Sequence, residues 1–162
     1  MMFGTDLDGV YSLLPFNCKQ AALTGKNEKI FYSLQRYRSL QRIYNSLIRK
    51  PNPEIKEFME DLQEIGIGSV IISASNEAYR AELKRWLVNT GYFGDLILKE
   101  RFEENYVKYK IRVVPAYCDF YLDDKKELVR AINVLGNGKC KAVLYTGQTK
   151  KELRREFLPV FR

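Results

Sequence analysis

Two aspartates, Asp6 and Asp8, stand one residue apart behind the short apolar lead Met2-Phe3, and Gly9-Val10 follows them. A second acidic pair, Asp123 and Asp124, follows the apolar run 118–122, and Ser73 closes the run Val70-Ile71-Ile72. Carboxylates crowded together repel one another and are costly to ionise unless a cation sits among them. Oxygen-only ligands suit Mg²⁺, a hard ion that takes one or two carboxylates, waters and substrate phosphate. Mg²⁺ is therefore the expected cofactor. Such an ion would neutralise phosphate oxygens, leaving one carboxylate to attack phosphorus and another, two residues away, to protonate the leaving oxygen. The chain has no histidine, which removes Ser-His-Asp and Cys-His nucleophiles, histidine bases and histidine metal sites together.

These residues need strands to carry them. Residues 2–6 read as a short buried strand. From Lys50-Pro51-Asn52-Pro53 onward, strand and helix signals alternate. Asn52-Pro53 is a helix start, and Ile55, Phe58, Met59, Leu62 and Ile65 carry the helical spacing. Residues 69–73 form a fully apolar strand, Ser75 or Asn76 caps a second helix, and 95–98 is the next strand. A short, less regular helix is expected over 103–113, closed by Pro115. Strand 118–122, a helix through Leu128, Val129, Ile132 and Leu135, strand 142–145 and a capping box at Thr149 and Glu152 complete the chain. This alternation predicts one α/β domain over 1–162, a doubly wound parallel sheet of Rossmann-like type with helices on both faces. In such sheets ligands bind beyond the carboxyl ends of the strands, where Asp6, Asp8, Ser73, Asp123 and Asp124 all fall.

The arrangement resembles the haloacid dehalogenase-like superfamily of aspartate-dependent phosphohydrolases. Asp6-Leu7-Asp8-Gly9-Val10 looks like the family's first motif, Val70-Ile71-Ile72-Ser73 its second, a lysine ahead of the fourth strand its third, and Leu122-Asp123-Asp124 its fourth, in the family's order. The resemblance implies Asp6 as the nucleophile that forms an aspartyl-phosphate and Asp8 as general acid and base. It implies that Ser73 and the lysine hold the phosphoryl group. The metal shell would comprise Asp123, the Asp6 carboxylate and the Asp8 main-chain carbonyl, with Asp124 in support. An aspartate at position 8 favours phosphate ester hydrolysis, since relatives specialised for carbon–halogen or carbon–phosphorus cleavage generally lack it. Lys108 is the preferred lysine, with Lys110 and Lys99 as alternatives.

Each residue type also has a plainer use. Ser73 can be a strand-end cap, Asp123 and Asp124 can complement a helix dipole, and surface lysines are ordinarily solvated. An isolated DxD also marks sugar transferases, for which this chain is short.

Charge is placed unevenly. Residues 18–50 hold eight Lys and Arg against Glu28, which accounts for the whole formal charge of +7 and leaves 19 of each sign elsewhere. Within 29–49, Ile30, Leu34, Tyr37, Leu40, Tyr44 and Leu47 recur at helical spacing as a packing stripe. Arg38, Arg42 and Arg49 would share another face, at 100° per residue. Segment 18–50 is thus expected to be a basic helical insertion, a small cap or flap between the first two motifs, favouring a phosphorylated small molecule, a nucleotide or a nucleic-acid end. A rival expectation is a non-catalytic nucleic-acid-binding module on the same scaffold. Cys18, Cys118 and Cys140 form no metal or disulfide pattern. With no leader pattern and no apolar span, a cytoplasmic protein without a membrane partner is expected.

Overall fold

A computed structural model describes residues 1–13, 37–45, 49–101 and 104–160. In chain order the elements are β1 (Met2–Thr5), β2 (Ser12–Leu13), α1 (Arg38–Ile43), β3 (Lys50–Pro51), α2 (Pro53–Glu64) and β4 (Gly68–Asn76). They continue with α3 (Arg80–Asn89), β5 (Asp95–Lys99), α4 (Tyr106–Tyr117), β6 (Phe120–Asp123), α5 (Lys126–Leu135), β7 (Lys141–Leu144) and α6 (Lys150–Phe157). Five strands form one parallel sheet in the order β5-β4-β1-β6-β7. This is the α/β, Rossmann-like architecture expected from the alternating pattern.

Alternation along the strands divides the core in two, because successive side chains leave a strand on opposite faces. Phe3, Ile71, Leu96, Leu98 and Leu122 pack with Phe58 of α2, Leu83 of α3 and Phe157 of α6. Val70, Ile72, Tyr121 and Ala142 pack on the other side with Val113 and Val114 of α4 and Leu128 and Ile132 of α5. Phe3 meets Phe58 and Phe157 edge to face, at 5.3 and 5.2 Å between ring centroids, a geometry that the ring quadrupoles favour. The free thiols of Cys118 and Cys140 are both buried, and Cys18 lies outside the described residues.

Two capping signals act as the sequence predicts, whereas Asn76 caps the 3₁₀ turn Glu77–Tyr79 and α3 itself starts after Tyr79 with no side-chain cap. Asn52 Oδ1 accepts from Glu54 N–H at the start of α2. Thr149 and Glu152 make both bonds of the capping box that opens α6. Asn52 does more than cap, since its Nδ2 also donates to the Val10 carbonyl and to Tyr145 Oη, at 3.0 and 2.8 Å. One buried amide thereby joins the loop after β1 to α2 and to the end of β7.

Several boundaries differ from expectation. β4 runs on to Asn76, with its register against β5 shifting between Ser73 and Asn76. α4 runs from Tyr106 to Tyr117 and contains Pro115 instead of ending before it. A proline so near the C-terminus removes a single helical bond, and Cys118 N–H still closes the last turn on the Val114 carbonyl. The β2–β3 ribbon, pairing Ser12 with Pro51 and Leu13 with Lys50, is too short to leave a periodic signal.

Of the expected insertion, 18–36 and 46–48 lie outside the described residues, and with them Ile30, Leu34 and Leu47. Within the remainder, Tyr44 is buried whereas Tyr37 and Leu40 are exposed, so the packing stripe is only partly covered. The α-helix ends at Ile43, and Arg49 N–H donates to the Tyr44 carbonyl at 2.8 Å. Arg49 is buried, which removes it from the solvated basic face expected with Arg42. No helix among the described residues is long and apolar enough to cross a membrane.

Replacing Asn52 with alanine removes a cap and orphans a buried carbonyl. Asn52→Ala is expected to cost about 2–3 kcal/mol, measured by urea denaturation.

Candidate active site

β1 lies at the centre of the sheet, and its register fixes what surrounds its carboxyl end. Thr5 pairs with Ile71 of β4 and with Leu122 of β6. Asp6 N–H carries the pairing one step further, to the Leu122 carbonyl at 2.9 Å. Asp6 therefore leaves β1 beside Asp123, the last residue of β6. Carboxylate oxygens of Asp6, Asp123 and Asp124 lie within 4.8 Å of one another.

The loop that follows is tightly built. Tyr11 N–H donates to the Asp6 carbonyl, Ser12 N–H to the Leu7 carbonyl and Gly9 N–H to the Ser12 carbonyl. Gly9 has φ +90°, a conformation that glycine adopts without steric cost. A Cβ at Gly9 would also run into the Asp124 carboxylate. The glycine after Asp8 thus serves the turn and leaves room for a carboxylate from the next strand.

A single buried ammonium joins the acidic groups. Lys110 Nζ lies 2.9 Å from Asp6 Oδ2 and 2.7 Å from Asp123 Oδ2. Asp123, completely buried, also accepts from Lys125 N–H through Oδ1, and Asp6 Oδ1 accepts from Leu7 N–H. Burial pushes the Asp6 carboxyl above the ordinary carboxylate range; Lys110 pulls it down, Asp123 and Asp124 push it up, and the net direction is upward. Burial works against the charged form of Lys110 as well, but the adjoining Asp123 and Asp6 reverse this and raise its pKa.

Three carboxylates against one ammonium leave two negative charges when all are ionised. Charges of one sign in a poorly solvated site are stabilised by a counter-ion. An all-oxygen donor set with a charge deficit of two fits a hard divalent cation, and Mg²⁺ suits it.

Of the three candidate lysines, Lys110 is the one whose ammonium meets Asp6 and Asp123. Lys108 is exposed, because α4 turns Tyr109, Lys110, Val113 and Val114 towards the protein. Lys99, the other alternative, is buried at the end of β5 and donates to the Glu104 carbonyl at 2.9 Å. Ser73 is buried on β4, two residues beyond the partner of Thr5, and its Oγ accepts from Ser75 N–H at 3.1 Å. It lies at the same end of the sheet but outside the lysine–carboxylate contacts.

Asp8 stands apart from the cluster. Its Oδ1 lies 2.9 Å from Nη2 of Arg49, a contact that the sequence pattern does not reveal, since Arg49 reads there as one more charge of a basic run.

Solved structures provide the remaining comparison. A chain of the Pnkp1/Rnl/Hen1 complex superposes with a TM-score of 0.59 at 17% identity, covering 88% of this chain and 45% of that one. The HAD domain of the Legionella pneumophila effector Lem4 gives 0.54 at 15% identity, covering 98% and 93%. A HAD-superfamily hydrolase from Ehrlichia chaffeensis gives 0.55 at 14%, covering 99% and 97%. This chain spans less than half the length of the Pnkp1/Rnl/Hen1 chains that it matches. No family model and no curated protein matches the sequence. The fold is haloacid dehalogenase-like, as the motif order implies.

Two substitutions separate the lysines. Lys110→Met leaves buried carboxylates without their cation and is expected to cost roughly 3–5 kcal/mol, with added Mg²⁺ recovering part of the loss. Lys108→Met is expected to change stability by no more than about 0.5 kcal/mol. Thermal denaturation of both variants with and without Mg²⁺ checks this.

Proposed function

We propose that this protein is a Mg²⁺-dependent phosphatase that hydrolyses phosphomonoesters through an aspartyl-phosphate at Asp6. The observation that carries the reading is the convergence of Asp6, Asp123, Asp124 and Lys110 at the carboxyl ends of β1 and β6. Burial, which makes ionised Asp6 expensive, is the feature expected of a carboxylate that gives up its charge by bonding to an electrophile.

Asp6, Asp123 and Asp124 would hold Mg²⁺ through their carboxylates, with the Asp8 main-chain carbonyl. When bound, the ion neutralises phosphate oxygens and draws the phosphoryl group into the site. A carboxylate oxygen of Asp6 then forms a bond to phosphorus as the ester P–O bond breaks. The departing oxygen keeps the bonding pair and takes a proton from the Asp8 carboxyl, so the alcohol leaves neutral. Lys110 and Ser73 offer donors to the transferring oxygens. In the second half, water adds to phosphorus, the Asp8 carboxylate accepts its proton, and the bond from phosphorus to Asp6 breaks. Alcohol and inorganic phosphate are the products, and both aspartates return to their starting states.

A phosphorylated nucleotide or nucleic-acid end is the substrate class we favour. The concentration of positive charge in 18–50 supports it, because a basic segment raises the local concentration of a polyanion. The likeness of the fold to a chain of the Pnkp1/Rnl/Hen1 RNA repair complex agrees with this choice.

The test is a panel of phosphate monoesters, nucleotides and end-phosphorylated oligonucleotides assayed with Mg²⁺ and with EDTA. Phosphate release is expected only with the metal, and Asp6→Asn is expected to abolish it while leaving the circular dichroism unchanged. Steeply salt-dependent oligonucleotide binding without EDTA-sensitive release would support the non-catalytic binding module instead.

A further inference from the structure

The guanidinium of Arg49 is completely buried, with no side-chain exposure, and Asp8 is its carboxylate partner among the described residues. It lies over two rings, 4.8 Å from the centroid of Tyr44 and 5.4 Å from that of Trp86. Trp86 Nε1 donates to the Arg49 carbonyl at 3.2 Å, and Arg49 N–H donates to the Tyr44 carbonyl at 2.8 Å. Both main-chain groups of the residue are therefore tied, one to α3 and one to the end of the α1 segment. Directly after it, the β2–β3 ribbon pairs Lys50 with Leu13 and Pro51 with Ser12, so the Asp8 loop and Arg49 share one small scaffold.

An arginine cannot shed its charge when buried, and an ion pair of this kind is often no more stabilising than an apolar replacement. Its use is geometric. The planar guanidinium, held against two rings, has few orientations open to it and keeps its charge 2.9 Å from one carboxylate oxygen.

Building on the phosphatase reading, we infer that Arg49 is the positioning residue for Asp8: it anchors Oδ1 and so presents the other carboxyl oxygen, with its proton, to the leaving oxygen of the ester. Arg49 is sealed between Tyr44, Trp86 and Asp8, so it acts through Asp8 and not on substrate. The ion pair joins Arg49 to the loop that carries Asp8, which ties the placement of the acid to the contacts of Arg49 and Arg42 with Trp86 and Glu82 of α3.

Dependence on the leaving group tests this, because protonation matters most when the departing oxygen is a poor leaving group. The kcat/KM values of an alkyl phosphate and of dinitrophenyl phosphate are compared in wild type, Arg49→Gln, Arg49→Lys and Asp8→Asn. If Arg49 orients the acid, Arg49→Gln lowers kcat/KM for the alkyl ester by about 10- to 100-fold and for the dinitrophenyl ester by less than about 3-fold, the same bias that Asp8→Asn shows more strongly. Arg49→Lys keeps the buried charge without the planar fork and shows the same bias, so it supplies the test should Arg49→Gln fail to fold. Fluorescence of Trp86, the single tryptophan, and circular dichroism report whether the fold survives.

Equal losses on both esters, or no loss, in folded Arg49 variants would overturn the positioning role while leaving the phosphatase reading intact. A wild-type protein that cleaves neither ester nor any member of the panel would remove that reading, and the role of Arg49 with it.

Discussion

A single buried ammonium governs the arrangement of this protein. Lys110 bridges Asp6, at the end of β1, and Asp123, at the end of β6, two carboxylates that the parallel register brings side by side. Without a cation, ionising both in a poorly solvated site is prohibitive. With one lysine, the pair can persist but the third carboxylate, Asp124, leaves the cluster short of positive charge. The fold thus brings together three carboxylates and one ammonium, a set whose charges do not balance. A hard divalent ion is complementary to that set by charge.

The sheet supplies this geometry at little conformational cost. β1 is the central strand, and its neighbours on both sides run parallel to it, so three strand ends open onto one edge. The loop after Asp6 is closed by short main-chain bonds and needs glycine at position 9, where a side chain would displace Asp124. Behind the site, the aromatic packing of Phe3, Phe58 and Phe157 and the reach of Asn52 to Val10 and Tyr145 hold the same loop from the core side. Precision at the carboxylates rests on groups that take no part in chemistry, as it does when binding sites are set on rigid elements.

Much of this was legible in the sequence because it depends on strand ends. Apolar runs that stop at Asp6, Ser73 and Asp123 announce both a parallel sheet and the polar groups at its edge. The choice between Lys108 and Lys110 depends instead on helix phase. Val114 lies four residues beyond Lys110 and Val113 three, so Lys110 shares their buried face, but treating Pro115 as the stop removed the last turn that would have fixed the phase. Arg49 was hidden for a similar reason. A helical count carried to residue 49 puts it on a solvated face, whereas the chain leaves α geometry near Tyr44 and turns the guanidinium inward. Two-residue strands such as β2 and β3 carry no periodicity at all, although they tie Arg49 to the loop of Asp8.

The central claim is that an ordinary aspartate, surrounded in this way, bonds covalently to phosphorus. Borohydride reduces an acyl phosphate to the alcohol, which would convert residue 6 to homoserine. The direct measurement is to quench the turning-over enzyme into borohydride and sequence the tryptic peptide 1–19, which contains both Asp6 and Asp8, by mass spectrometry. Substrate-dependent homoserine at position 6, with position 8 unchanged, is the predicted result. Turnover accompanied by reduction at another carboxylate, or at none, would contradict it.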